Sequence, residues 1–281
     1  MSASHRIAKR IVSLAPSVTS ILVALGARRQ IVAVSKWCKD VADVRGLPEL
    51  GDCWFLGDKS GAEKSASEIM KLRPTMIVGS VPFKTETVQK VLSLPVPFLA
   101  LNPRRLTDVE SDIRMLGGVT GTSHRAEELI REMRRKFEQL RKTASRAKTR
   151  PRVYCEAWPN PRISSPPWVT ELVEICGGEI SVRAGERVSD EDVAQANPEV
   201  IVLAWAATGA RSKLEQALKN RAWRDVSAVR ERKVFAIRDE LLNTPGPPLV
   251  CGAEELLRVI HQGLTSTPLK RRGKKRARRG N

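Results

Sequence analysis

The 281-residue sequence contains no GxxxxGK[ST], no GxGxxG, no HExxH and no GxSxG. The commonest signatures of phosphate loops, dinucleotide folds, zinc hydrolases and serine hydrolases are therefore missing. Histidine is scarce. His5, His124 and His261 are far apart in the chain, and none has an acid–base partner at a readable spacing, so no catalytic residue is assigned. The five cysteines, Cys38, Cys53, Cys155, Cys176 and Cys251, are an odd number with no CxxC. They form no disulfide framework and agree with a reducing compartment. No apolar run approaches the ~20 residues of a membrane span. There is also a single tyrosine, Tyr154, against six tryptophans.

The charge is abundant and uneven. The net charge is +18, but the closing PLKRRGKKRARRGN (268–281) holds eight basic residues and no acidic one. Residues 264–281 are expected to be a disordered tail, able to touch nucleic acid or an anionic membrane surface or simply to stay solvated. At the other end, RIVSLAPSVTSILVALGA (Arg10–Ala27) follows several basic residues and has the ingredients of a secretory signal. Ser13, Pro16, Ser17, Thr19 and Ser20 interrupt its apolar centre. The segment reads better as a buried strand, a turn, and a helix capped by Ser17 with Pro16 just outside and Gly26 at its end. A cytoplasmic location follows, with the periplasm as the alternative if translation starts upstream of Met1.

Along the chain, β-rich stretches alternate with helical patterns. The expected strands are Ile11–Leu14, Ile31–Ser35, Met76–Ser80, Val96–Leu101, Arg152–Trp158, Val200–Trp205 and Lys233–Arg238. Ser123–Lys148 is one long charged helical pattern, with Leu129, Met133, Phe137 and Leu140 about a turn apart. It is too long for a crossover within a small sheet and predicts a helix bridging two lobes. EIMKLRPTMIV (Glu68–Val78) and DVAQANPEVIV (Asp192–Val202) align without gaps, each a helix, a proline and a strand. The expected organisation is an α/β lobe over 1–122, a bridging helix over 123–150 and a second α/β lobe over 151–263. The fold class is α/β, two Rossmann-like lobes with parallel sheets joined by one long helix.

Four tryptophans follow predicted strands: Trp37, Trp54, Trp158 and Trp205. Loops at the carboxyl ends of parallel strands build the ligand crevice of such folds, and flat side chains there suit a broad, partly apolar ligand. Trp168 and Trp223 read as packing, the latter in a surface turn. Cys38, Cys53 and Cys155 adjoin the same loops and would offer ligands to a soft metal. Cysteine is commonly just a small buried apolar side chain, and no metal site is assigned. Cys176 and Cys251 read as core.

RIVSLAPSVTSILVALGA, IVAVSKWCKD, LPELGDCW, ICGGE, VSDEDVAQANPEVIVLAW and VFAIRDELLNTPGPPLV, in this order, resemble the helical-backbone solute-binding proteins of ABC importers for cobalamin, haem and ferric siderophores. The cobalamin-binding branch is the most similar, over about residues 10–262. The resemblance implies a non-enzymatic, monomeric binder with a corrinoid between two lobes. It carries Trp37 and Trp54 onto positions facing the corrin and Asp239 onto an acidic contact. Asn243 stands where the cobalamin binder has a basic residue. Ser17, in the first loop–helix turn, is added to the ligand set, as are Trp158 and Trp205 from loop position. Family members dock an ABC permease through one glutamate per lobe. Glu191 keeps that place, while the first-lobe position is Ser67, with Glu68 one step round the helix. Three readings of function are open: a corrinoid carrier or sensor, an importer component for cobalamin, haem or a siderophore, and an enzyme working on a corrinoid or metal chelate through Cys38, Cys53 or Cys155.

Overall fold

The structure is a computed structural model that describes residues 7–50, 62–205, 214–215 and 217–262. The basic tail, Trp54 and Cys53 lie outside these residues.

The first half runs β1 (Ile11–Ser13), α1 (Pro16–Ala24), β2 (Ile31–Val34), α2 (Ala62–Lys71), β3 (Met76–Ser80), α3 (Thr85–Leu92), β4 (Phe98–Leu101) and α4 (Leu106–Thr120). All strand pairs are parallel, in the order β2-β1-β3-β4. Then α5 (Ser123–Ala144) crosses to a second sheet. The second half runs β5 (Arg152–Pro159), β6 (Arg162–Ser164), α6 (Trp168–Ile175), β7 (Glu179–Ile180), α7 (Asp190–Ala196), β8 (Val200–Leu203), α8 (Ser227–Arg230), β9 (Val234–Ala236), α9 (Asp239–Leu242) and α10 (Pro248–Ile260). Here β7, β5, β8 and β9 are parallel neighbours in that order, and β6 folds back antiparallel on the far end of β5.

The seven expected strands all form, most of them trimmed at one end or both, and β6 and β7 are additions of three and two residues. Two helix boundaries are corrected: the long helix ends at Ala144, short of Lys148, and the start of α1 shifts. The N-cap of α1 is Ala15, in extended conformation, and Pro16 is inside the first turn. Proline's missing N–H costs nothing there, because the first helical N–H groups have no intrahelical acceptor. Ser17 is therefore a buried helical residue rather than a cap. Gly26, at φ 78°, takes the left-handed turn that ends the helix.

The two halves repeat each other down to single hydrogen bonds. Arg73 and Asn197, aligned in the two helix–Pro–strand segments, both adopt left-handed backbone, at φ 46° and 41°. The chain thereby leaves the helix and enters the strand across one residue pair. Arg10, leading β1, donates from Nε to the carbonyls of Leu72 and Arg73 at 2.9 and 3.2 Å. Arg152, leading β5, donates from Nε to the carbonyl of Asn197 at 3.2 Å. The residue after each proline closes the pattern: Thr75 N and Glu199 N each donate 2.8 Å to the carbonyl of that arginine. Their side chains accept from the arginine's own N–H at 3.1 and 2.9 Å.

α5 joins these halves because its stripe of Ala126, Leu129, Ile130, Met133, Phe137 and Ala144 is buried in one apolar cluster. That cluster takes Ile21, Ile113 and Leu116 from the first half and Leu172, Val173, Leu256 and Ile260 from the second. Polar contacts cross the same seam. Leu106 N donates 3.2 Å to Glu171 Oε1 on α6, and the loop before α10 lies so close to α1 that a Cβ on Gly246 would meet Ser20 Oγ at 3.0 Å.

Two outcomes follow. Asn tolerates left-handed backbone and arginine does so at a cost of about 1 kcal/mol. Arg73→Asn, which copies the second half, should raise the unfolding free energy by about 0.5–1 kcal/mol in urea titration. Asp112 on α4 is buried, and burial together with the charge of Asp108 one turn away lifts its carboxyl to about 7. Its native pKa lies above the unfolded value, so the native state binds the extra proton and loses stability as pH rises from about 4 to 7. Asp112→Asn should stabilise the protein by on the order of 1–2 kcal/mol at pH 8 and leave its melting temperature nearly unchanged at pH 4.

Candidate functional site

The carboxyl ends of the parallel strands carry most of the predicted ligand residues. After β2 the chain turns through a short 3-10 helix, Lys36–Asp40, on which Trp37 is half-buried, with Lys36 Nζ 4.7 Å from its ring centre. Beside it Cys38 points into the core. It accepts from Thr19 Oγ1 at 3.0 Å and lies 3.2 Å from Ser35 Oγ, and burial pushes its thiol up. Cys155 is likewise buried, with its thiol pushed up. The expectation that these two thiols line an opening is therefore corrected: neither is exposed, and neither is poised to ionise as a nucleophile or soft-metal ligand. Cys176 is core, its thiol pushed up to about 12, whereas Cys251, also expected in the core, is exposed. Among the described residues no group of three or more His, Cys, Asp or Glu is placed to hold a metal ion.

At the end of β5, Trp158 is 43% exposed and its indole N–H donates 2.8 Å to the carbonyl of Asn160. Trp205, two residues beyond β8, is turned inward. Its Nε1 donates 2.8 Å to Oε1 of Glu156, a carboxylate that is wholly buried in β5. Asp239 opens α9 and is half-buried. Asn243 donates from Nδ2 to the carbonyl of Ala204 at 2.8 Å, which ties it to the Trp205 loop, and its Oδ1 is buried without a partner. Ser17 lies inside α1. Of the docking glutamates, Glu68 is exposed on α2 and Glu191 is exposed in the first turn of α7.

Sequence reasoning missed the group that organises the second half of the site. Glu156 Oε2 accepts from Tyr154 Oη at 2.7 Å and from Arg162 Nη1. The other guanidinium arm of Arg162 donates 2.6 Å to Asp190 Oδ1, which also accepts from Asn220 Nδ2 at 2.8 Å. The guanidinium lies 4.3 Å from the ring centre of Trp223, and Tyr154 meets that ring edge-on at 6.1 Å. Trp223, expected in a surface turn, is fully buried, and Trp168 donates 2.9 Å to the carbonyl of Leu242. Both are buried in the core of the second half. Desolvation raises the Glu156 carboxyl against the pull of Arg162 and of its hydrogen-bond donors. A signal was available: a lone carboxylate inside the apolar strand VYCEA must find a partner if it is buried. Beside this group is a cavity of about 330 Å³, lined by Arg162, Asp190, Trp205, Ala217, Lys219, Asn220 and Trp223.

With this geometry in hand, likeness to known proteins can be stated. The model of the periplasmic binding protein family matches residues 11–241. An uncharacterized ABC transporter substrate-binding lipoprotein of Bacillus subtilis strain 168, YvrC, is 23% identical over 266 residues, 90% of this chain and 80% of that one. The vitamin B12-binding protein of Pectobacterium atrosepticum is 22% identical over 266 residues, 91% of this chain and 89% of its own. Among solved structures, the periplasmic haem-binding protein RhuT of Roseiflexus sp. RS-1, in apo form, superposes with a TM-score of 0.75 at 23% identity. It covers 92% of this chain and 99% of that one.

The buried ion group predicts an asymmetric mutational response. Arg162→Met strands Glu156 in the core and should cost about 3–5 kcal/mol, whereas replacing both, Arg162→Met with Glu156→Leu, should restore most of it. Urea unfolding of the two variants checks this.

Proposed function

The chain belongs to the periplasmic binding protein family, and from that premise we propose that it binds a corrinoid, cobalamin or a close relative, between its two lobes. It is a solute-binding protein of the type that takes vitamin B12, haem or siderophores, and its family is one of binding proteins. The observation that carries the corrinoid reading is the placement of Trp37, Trp158 and Asp239. Each is half-buried or exposed at or just beyond the carboxyl end of a parallel strand, two tryptophans on different sheets and one carboxylate. An indole covers a broad ring face with little loss of rotamer freedom, and a carboxylate accepts from the ring's amide side chains. The likeness over 91% of the chain to a protein named for vitamin B12 supports this choice. A haem reading is favoured by the RhuT superposition, and the same titrations decide between the two.

We place the protein outside the cytoplasm, in the periplasm or at the membrane surface, serving an ABC permease through Glu68 and Glu191. The relatives' names support this, one a lipoprotein and one periplasmic. The expectation of a cytosolic protein finds no support among them. It came from reading Arg10–Ala27 as structure, and that segment does form β1 and α1. Among the described residues no helix is long and apolar enough to cross a membrane. An enzyme acting through Cys38 or Cys155 is not favoured, because both thiols are buried.

Calorimetry with cobalamin, cobinamide and haem tests the assignment. Cobalamin should bind in the micromolar range or tighter. Trp37→Ala and Trp54→Ala should each weaken it at least ~30-fold, the scale of a buried aromatic anchor. Leu92→Ala, at an exposed position on α3, should leave it unchanged. No cobalamin binding at high micromolar concentration, or Trp54→Ala binding as wild type does, would overturn the reading.

A further inference from the structure

The Arg162 cavity has a property that its list of side chains conceals. An arginine beside two indoles looks like a receptor for an acidic group, since a guanidinium matches a carboxylate in a bidentate fork. Here both arms are already engaged, one by Glu156 and the other by Asp190 at 2.6 Å. The second cation on the wall, Lys219, has Glu215 at 4.0 Å. Among the described residues, then, two cations at this cavity face three carboxylates. Among the described residues the cavity holds no uncompensated positive charge. Trp223, which is fully buried and lines the cavity, carries a neutral donor, Nε1, that is buried without a partner. A buried N–H left unpaired costs about 1–3 kcal/mol, which a ligand acceptor would recover. Trp205, held by Glu156, forms another wall. Glu156 lies near the carboxyl end of β5 and Trp205 just past that of β8, so the cavity opens on the strand ends where ligands of this fold class bind.

We propose that the Glu156–Arg162–Asp190 group is a charge filter that selects a ligand side group which is a neutral acceptor, such as a carboxamide, and rejects the same group as a carboxylate. This deepens the corrinoid reading and rests on it. A corrin carries its acceptors as carboxamides, whereas a porphyrin such as haem carries free carboxylates. Glu156 and Asp190 are the specificity-determining residues, because each cancels the charge with which Arg162 would capture an anion. Removing either carboxylate takes one negative charge from the group that faces Arg162 and so weakens the repulsion of an anion; at an effective dielectric near 20 a unit charge several ångströms away shifts binding of an anion by about ten-fold or more.

The test uses pairs of ligands that differ in one group: cobalamin and its b-, d- and e-monocarboxylic acids, in which one peripheral amide is hydrolysed. The wild-type protein should bind at least one of these acids about ten-fold or more weakly than cobalamin. Glu156→Gln and Asp190→Asn should each improve binding of that acid relative to cobalamin by about ten-fold, with the gain shrinking in high salt. Asp190→Asn is the safeguard, since Asp190 is partly exposed and its replacement leaves the Arg162–Glu156 pair intact. If cobalamin binds normally but all three acids bind equally well, or if neither variant changes the ratio, the filter is wrong and the corrinoid reading stands. If cobalamin does not bind the wild-type protein at all, the corrinoid reading falls and the filter falls with it.

Discussion

Everything in this molecule is hung on the buried stripe of α5. A surface helix of 22 residues rich in arginine and glutamate has little reason to hold a fixed place unless one face is taken out of water. Met133, Phe137 and their neighbours do this by filling a seam to which both halves contribute. Each sheet keeps a smaller apolar cluster of its own, around Ile77 in the first half and around Ile201 in the second, but the largest cluster is shared through the helix. The two sets of strand ends are thus held at a fixed spacing by a rod whose hydrogen-bond ladder resists bending. The contacts of Glu171 with the start of α4, and of the Gly246 loop with α1, brace the same seam from the side. The large hinge motion of two domains joined by flexible strands has no mechanical basis here.

The lobes themselves were largely legible in the sequence, because their signals are periodic or punctuated. Apolar runs of four to six residues between helical patterns mark the strands, and the aligned prolines at 74 and 198 mark the repeat. The backbone at Arg73 and Asn197 then carries that repeat further than residue identity does. A six-residue offset and a 28-residue offset have no such periodicity, so the Glu156–Arg162–Asp190 group was invisible. The loop position of Trp205 was right in sequence, yet its indole is turned inward by a hydrogen bond to a carboxylate 49 residues away. The direction of Cys38 was not legible for a related reason: nearness to Trp37 does not set it, because consecutive residues of a helical turn point different ways, and Thr19 and Ser35 claim the thiol. The short β6 and β7 gave no pattern because two or three residues cannot establish one.

The second half also shows how a buried charge is made tolerable. Glu156 has no solvent, but every lone-pair direction it needs is met by a phenol, a guanidinium or an indole. Arg162 in turn lies against an aromatic face and reaches a second carboxylate near the surface. The strand, the hairpin, α7 and Trp205 beyond β8 are thereby fixed by one polar group where apolar packing alone would allow sliding.

The last helix gives the shared seam a temporal meaning. Leu249, Ala253, Leu256, Leu257 and Ile260 of α10 belong to the same apolar cluster as α5 and α6. They are the final core residues to leave the ribosome. Until they arrive, the faces of α5 and α6 that α10 covers remain open, so the core closes only near the end of synthesis. A nonsense change shortly before residue 260 would open this shared cluster from both halves at once.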